Sequence, residues 1–293
     1  MAILFIMIGH IAGTFGTVVF TPLPAMGVSL FLIMSGYGVS ESFKKKGLSH
    51  YWPNKISRVL IPYAIVITII CIANNRFNLS NYLLEITGIK TSYWYIAYQV
   101  KWYVIFFITM LLLPRWSLMI LILTGIVMFL TLSSSLEASQ SFSFVIGVAA
   151  SRHKAFLTSL SRKKLIIIAA VFMFIGISFL AIKQLPLLRA HIDSIPYNGV
   201  QMIHNIGFAI VVITVISLFP RSANNKLLLF AGIISYELYL VHFPFYGMAN
   251  GNIIYALIII SASMLVAGTF HWVNNSISSK LTFKMPACLR KKS

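Results

Sequence analysis

Apolar runs with few charges recur from one end of this chain to the other, separated by short polar connectors. A membrane-crossing helix needs about 20 apolar residues, and the runs predict about ten helices. Their ranges are Ala2–Phe20, Ala25–Phe43, Val59–Ala73, Trp102–Leu113, Ser117–Thr131, Phe142–Ala150, Leu165–Ile182, Gly199–Phe219, Leu227–Tyr246 and Ile253–Val273. Trp102–Leu113 and Phe142–Ala150 fall short of a full crossing. The expected fold is an all-α polytopic bundle forming one integral-membrane domain over 1–293, with a short basic tail at 280–293.

Composition agrees with that solvent. Of 293 residues, 59% are hydrophobic and 10% charged, against about 25% charged in a soluble domain. The net charge of +18 does not point to nucleic acid, because the cations are not gathered on a solvated domain. With a cytoplasmic N-terminus, only Arg76, Lys90, Lys101, Lys183 and Arg189 of the 23 Lys and Arg residues fall on outward connectors. Cytoplasmic loops carry the excess of positive charge, so both termini are expected in the cytoplasm of a multi-pass plasma (inner) membrane protein. Its basic face would meet anionic lipid headgroups. No basic n-region or small-residue cleavage site precedes the first apolar run, so no cleavable signal peptide is expected. Cys71 and Cys288 lie far apart and make neither a disulfide framework nor a thiolate metal site.

Three constellations carry candidate chemistry. His10 stands in "LFIMIGHIAG", about 13 Å along a helix rising 1.5 Å per residue, which is near mid-membrane. Ionisable groups at that depth are costly and face a cavity or a partner. Gly13 and Thr14 follow at i+3 and i+4, giving the helix a thin polar face; His10 reads either as a pocket residue or as a packing histidine. The second constellation is "SYELYLVHFPFY". Glu237 lies within a predicted helix and calls for a partner, Tyr239 and His242 nearly share a face, and Tyr236 falls elsewhere. Pro220 and Pro244 bracket this helix, and Pro244 is expected to kink its outer end. In the third, Lys55 and Arg58 sit three apart at a helix mouth; they suit a phosphate-bearing ligand or simple inside-positive anchoring.

Together these stretches resemble the acyltransferase 3 family of bacterial integral-membrane acyltransferases. The residues that carry the resemblance are "GVSLFLIMSGYGVSESF", "NKISRVLIPY", the first-helix histidine and the late "SYELYLVHFPF", spread over essentially the whole chain. The resemblance implies ten helices and transfer of an acyl group, usually acetyl, from cytoplasmic acyl-CoA to a hydroxyl of a surface carbohydrate. It makes His10 the essential histidine. Lys55 and Arg58 take the place of an RxxR pair at the acyl-CoA end, with lysine replacing the first arginine. Ser35 and Gly36 match a Ser-Gly of the second helix, and Tyr236, Tyr239 and His242 match a late SYxxYLxH signature around Glu237. Trp102, in "VKWYVIFF", matches more loosely. A basic residue that the family carries before the histidine would fall upstream of Met1, so the reading frame is expected to begin upstream.

The chemistry implied is proton removal from the attacking hydroxyl. Neutral imidazole, with an unperturbed pKa of about 6.5, suits that task, which makes His10 the candidate general base; a covalent acyl-histidine relay is the alternative. Acyl-CoA would be a co-substrate, and no bound cofactor, metal motif or Ser-His-Asp arrangement is expected, the sole aspartate, Asp193, being assigned to an outer loop. Tyr93, Trp94, Tyr95 and Tyr98 fall in an outer connector where they would stack on sugar rings or form an interfacial belt. The rival class is a transporter or flippase with His10 and Glu237 as a proton relay, though no internal repeat supports it. The acceptor glycan or metabolite and the oligomeric state are not written in these residues.

Overall fold

The computed structural model describes residues 1–49, 51–73, 78–219 and 225–280, with side chains from 277 to 280 excepted. Arg76, Pro220, Arg221, Cys288 and the tail beyond Lys280 lie outside the described residues. The helices are α1 (Ala2–Thr14), α2 (Leu23–Lys46), α3 (Tyr51–Ala73), α4 (Leu79–Ile86), α5 (Trp94–Leu112), α6 (Ser117–Thr131), α7 (Ser143–Arg152), α8 (Arg162–Lys183), α9 (Ile195–Leu218), α10 (Lys226–Ile233), α11 (Ser235–His242) and α12 (Ile253–Lys280). Among the described residues there is no strand. Seven of these helices, α2, α3, α5, α6 with its leading 3-10 turn, α8, α9 and α12, are long and apolar enough to cross a membrane. The chain is thus an all-α polytopic bundle. The other predicted segments are shorter: α1, α7 and the pair α10–α11.

Where the elements depart from the hydropathy pattern, local chemistry accounts for it. The first helix stops at Thr14 instead of Phe20. There the Thr14 and Thr17 hydroxyls donate to the carbonyls of Ile11 (2.7 Å) and Ala12 (2.9 Å), and Gly16 takes a left-handed φ of 69°; hydroxyl-to-backbone bonds of this kind compete with helix propagation. The third begins at Tyr51, eight residues before the apolar run, because Pro53 is tolerated within a first turn. The fourth begins at Trp94, so Trp94, Tyr95 and Tyr98 are helical and not in a connector. Tyr93, Tyr95 and Tyr98 are buried in the core, which corrects their expected placement in an outer loop. The polar stretch between α3 and α5 holds α4, capped by Asn78, whose side chain accepts from the N–H of Ser80 at 3.0 Å.

The expected helix Leu227–Tyr246 is two helices. Ile234 caps α10 with φ −89° and ψ 9°, and α11 starts again at Ser235. α11 ends at His242, so Pro244 lies beyond the helix and does not kink it. Broken helices at membrane depth are tolerated where they line a cavity, and Gly232, Ser235 and Tyr236 do line one.

Close backbone approach holds the centre. A Cβ on Gly147 of α7 would lie 1.9 Å from the Ile33 carbonyl oxygen of α2, and one on Gly36 would lie 2.1 Å from that of Phe144. Small residues that let helices touch are the usual glue in lipid, where burial alone gives little drive. The irregular approach to α7 is buried as well, and several of its polar groups are paired: Ser29 Oγ donates to Gln140 Oε1 at 2.6 Å, Gln140 Nε2 to the Ala25 carbonyl at 3.0 Å, and Gln201 Nε2 to Ser139 Oγ at 3.2 Å. At one end of the bundle, Glu41 binds Lys44 (2.8 Å), Ser151 (2.7 Å) and Lys154 (3.1 Å), and Arg152 donates to Ser117. This is the basic end. Asp193, the Ser135–Ala138 turn and the start of α5 mark the far end.

Candidate active site

α1 delivers His10 because Gly9 lets it lie against α2: a Cβ at Gly9 would sit 2.2 Å from Pro24 Cδ. The imidazole is half-buried. Its Nδ1 lies 3.2 Å from Nε2 of His242, and Nδ1 of His242 lies 2.9 Å from the Leu238 carbonyl oxygen. A carbonyl only accepts, so His242 Nδ1 carries a proton. With both rings neutral, His242 Nε2 must accept from His10 Nδ1–H, which leaves His10 Nε2 as a bare lone pair. The ring is held on its faces and edge by Tyr246 (4.8 Å between centroids), His242 (5.5 Å) and Phe243 (5.9 Å).

Two cavities reach this region from opposite halves of the bundle. The basic-end cavity, of about 760 Å³, is lined by Ser35, Arg58, Gln99, Tyr103, Tyr236 and Tyr239, with apolar walls from α1, α2 and α9. The far-end cavity, of about 600 Å³, is lined by His10, Trp94, Ser135, Gln201 and Lys183, and again by Tyr239. Among the described residues Tyr239 alone lines both.

Other candidate residues settle into distinct places. Ser35 Oγ lies 2.7 Å from Tyr103 Oη, and Gln99 Nε2 donates to both hydroxyls, at 3.1 and 2.6 Å. Lys55 and Arg58 diverge, since residues Ile56–Leu60 form a π-turn, a distortion common at functional sites. Arg58 is exposed and lines the basic-end cavity. Lys55 Nζ instead sits 3.9 Å from the centre of the Tyr103 ring, a cation–π contact that places it behind the cavity wall. Tyr236 lines the cavity, but its hydroxyl is tied to the Val59 carbonyl at 2.7 Å.

His242, expected in the pocket, touches His10 without lining either cavity, and three further residues expected there are elsewhere. Gly36 faces α7. Trp102 is fully buried against Phe144, with ring centroids 5.3 Å apart. Glu237 turns to α12, where its Oε1 lies 2.9 Å from His271 Nδ1 and Asn275 continues the chain at 2.8 Å from His271 Nε2. Among the described residues no hydrogen bond joins Glu237 to His10. Glu237→Ala removes a buried acceptor and leaves Nδ1 of His271 without its partner, which is expected to lower the unfolding free energy by about 1–3 kcal/mol; thermal unfolding in detergent reads it, and an unchanged melting temperature would contradict the clamp. Gln99 and Tyr103 were not singled out from the sequence. Their signal was a glutamine inside an apolar helix with a tyrosine four residues on, which puts both on one face.

Residues 1–277 match the family profile described as an acyltransferase domain. The chain belongs to the acyltransferase 3 family. No curated protein and no solved structure matches it. Family membership makes this multi-pass membrane protein an acyltransferase, and the transport reading gives way to group transfer. Within an acyltransferase 3 protein, a bare imidazole nitrogen beside a meeting point of two cavities is a site suited to deprotonating a hydroxyl.

Proposed function

We propose that this acyltransferase moves an acetyl group from acetyl-CoA to a hydroxyl of a cell-surface or exported carbohydrate, with His10 as general base. The observation that carries the reading is the pair of cavities that approach from opposite ends and share Tyr239, with His10 on the far-end side. By the excess of Lys and Arg, the basic end faces the cytoplasm of a plasma-type membrane. Acetyl-CoA then enters the basic-end cavity with its phosphates on Arg58, Lys55 adding only its positive charge from behind the Tyr103 ring, and with its pantetheine arm along the apolar walls toward Tyr239.

The acceptor occupies the far-end cavity, where Trp94 offers a stacking face and the Ser135 and Gln201 side chains offer hydrogen-bonding groups. The hydroxyl oxygen attacks the thioester carbonyl carbon while His10 Nε2 takes its proton. The C–S bond then breaks, and the proton returns to the departing sulfur, so that CoA leaves as the thiol. Enclosure limits competing hydrolysis of the thioester.

The direct test supplies radiolabelled acetyl-CoA to the cytoplasmic face of membrane vesicles. Label is expected in the carbohydrate fraction; carbohydrate movement without label would overturn the proposal. In the same assay Arg58→Ala is expected to raise KM for acetyl-CoA about 10- to 100-fold, since a hydrogen bond to a charged group contributes about 1.5–3 kcal/mol and each 1.4 kcal/mol is tenfold. An unchanged KM would remove Arg58 from the donor site.

A further inference from the structure

Tyr239 is held more firmly than any packing need explains. Its ring meets Tyr95 at 5.3 Å, His242 at 5.9 Å and Tyr93 at 6.0 Å between centroids. The residue is only 3% exposed. The hydroxyls around it are anchored: that of Tyr93 donates to the Leu240 carbonyl at 2.8 Å, that of Tyr236 to the Val59 carbonyl at 2.7 Å, and that of Tyr103 pairs with Ser35 at 2.7 Å. The Tyr239 hydroxyl has no hydrogen-bond partner among the described residues. The residue lines both cavities, so its donor is free for a ligand. Tyr95 also has an unengaged hydroxyl, but it lines the basic-end cavity alone.

We propose that Tyr239 is a catalytic residue whose phenolic O–H donates a hydrogen bond to the thioester carbonyl oxygen as negative charge develops on it. The inference rests on the acetyl-CoA reading above. A thioester arriving through the basic-end cavity and a hydroxyl arriving through the far-end cavity have this side chain in common. His242 touches the rings of both His10 and Tyr239, and both of those residues line the far-end cavity. When the hydroxyl oxygen forms its bond to the carbonyl carbon, the carbonyl π pair moves to oxygen and His10 takes the hydroxyl proton. Tyr239 stabilises that oxyanion without giving up its proton. The pair then re-forms the carbonyl, the C–S bond breaks and the thiolate recovers the proton from His10. A preorganised donor in a water-poor site acts at the step where charge appears.

The test is Tyr239→Phe in the full chain, which keeps the ring and removes one oxygen. Initial rates of label transfer from radiolabelled acetyl-CoA to membrane carbohydrate are measured over a range of acetyl-CoA concentrations. A fall in kcat of about 10²–10³-fold with KM within about threefold supports the proposal. A kcat within threefold of wild type overturns it, as does a loss confined to KM or a large loss in Tyr95→Phe with none in Tyr239→Phe. Stabilisation by CoA against thermal unfolding is measured beside it, and a Tyr239→Phe protein that no longer responds to CoA identifies a binding wall and also overturns the assignment. Wild-type membranes that transfer no label defeat the acetyl-CoA reading itself, and with it the role given to Tyr239.

Discussion

Membranes carrying His10→Ala are expected to transfer acetyl groups about 10²–10⁴-fold more slowly than wild type, while the protein accumulates normally. The two halves of that expectation come from the same geometry. His10 is half-buried and lines a cavity, so truncation enlarges a space that already exists and does not open a void in the core. What is lost is the only imidazole nitrogen at the site with an unengaged lone pair. The truncation frees a lone pair on His242 Nε2, but His242 is only 1% exposed and lines neither cavity, so that nitrogen does not stand where the hydroxyl arrives. Label transfer normalised to protein level is the measurement. Full residual activity in His10→Ala would remove the histidine from the chemistry and leave the cavities without a base.

The second large effect concerns folding. Gly147→Ala places a methyl group 1.9 Å from the carbonyl oxygen of Ile33, a backbone atom that cannot swing aside, and the nearest other atoms are also main-chain. Overpacking a core costs about 1–3 kcal/mol and occasionally more; here two helices must separate along their contact, so the upper end or beyond is expected. Most of the protein should fail to fold or should melt many degrees lower in detergent. Gly38 is a control on the same helix pair's surroundings, since a Cβ there meets nothing within 4 Å, and Gly38→Ala should melt like wild type. Equal melting of the Gly147 and Gly38 variants would show that α2 and α7 are not in backbone contact.

Lipid made the fold legible. Apolar runs are enough to find most of the helices, because a bilayer leaves the backbone few choices. What hydropathy could not show was where helices stop. The end of α1 depends on threonine hydroxyls and one left-handed glycine, and the break at Ile234 lies in a stretch that is uniformly apolar. The aromatic cluster from Tyr93 to Tyr98 looked interfacial because tyrosine and tryptophan suit both an interface and a core with polar partners; its burial is a tertiary fact.

At the site, His10, Tyr239 and His242 were visible as polar groups in apolar helices, and the structure brings them into ring contact. Lys55 and Arg58 were read as a pair from a regular helix, whereas the π-turn between them sends one behind the wall and the other to the cavity. Glu237 was singled out correctly as a carboxylate needing a partner, but sequence spacing could not reveal that the partner is His271 on α12.

The place of Tyr239 in the linings of both cavities has a bearing on energetics outside the protein. A through-going pore would let ions leak and would discharge the electrochemical gradient on which an energised membrane depends. With Tyr239 common to the linings of both cavities, the proposed transfer would hand an acyl group from one compartment to the other with donor and acceptor each staying on its own side.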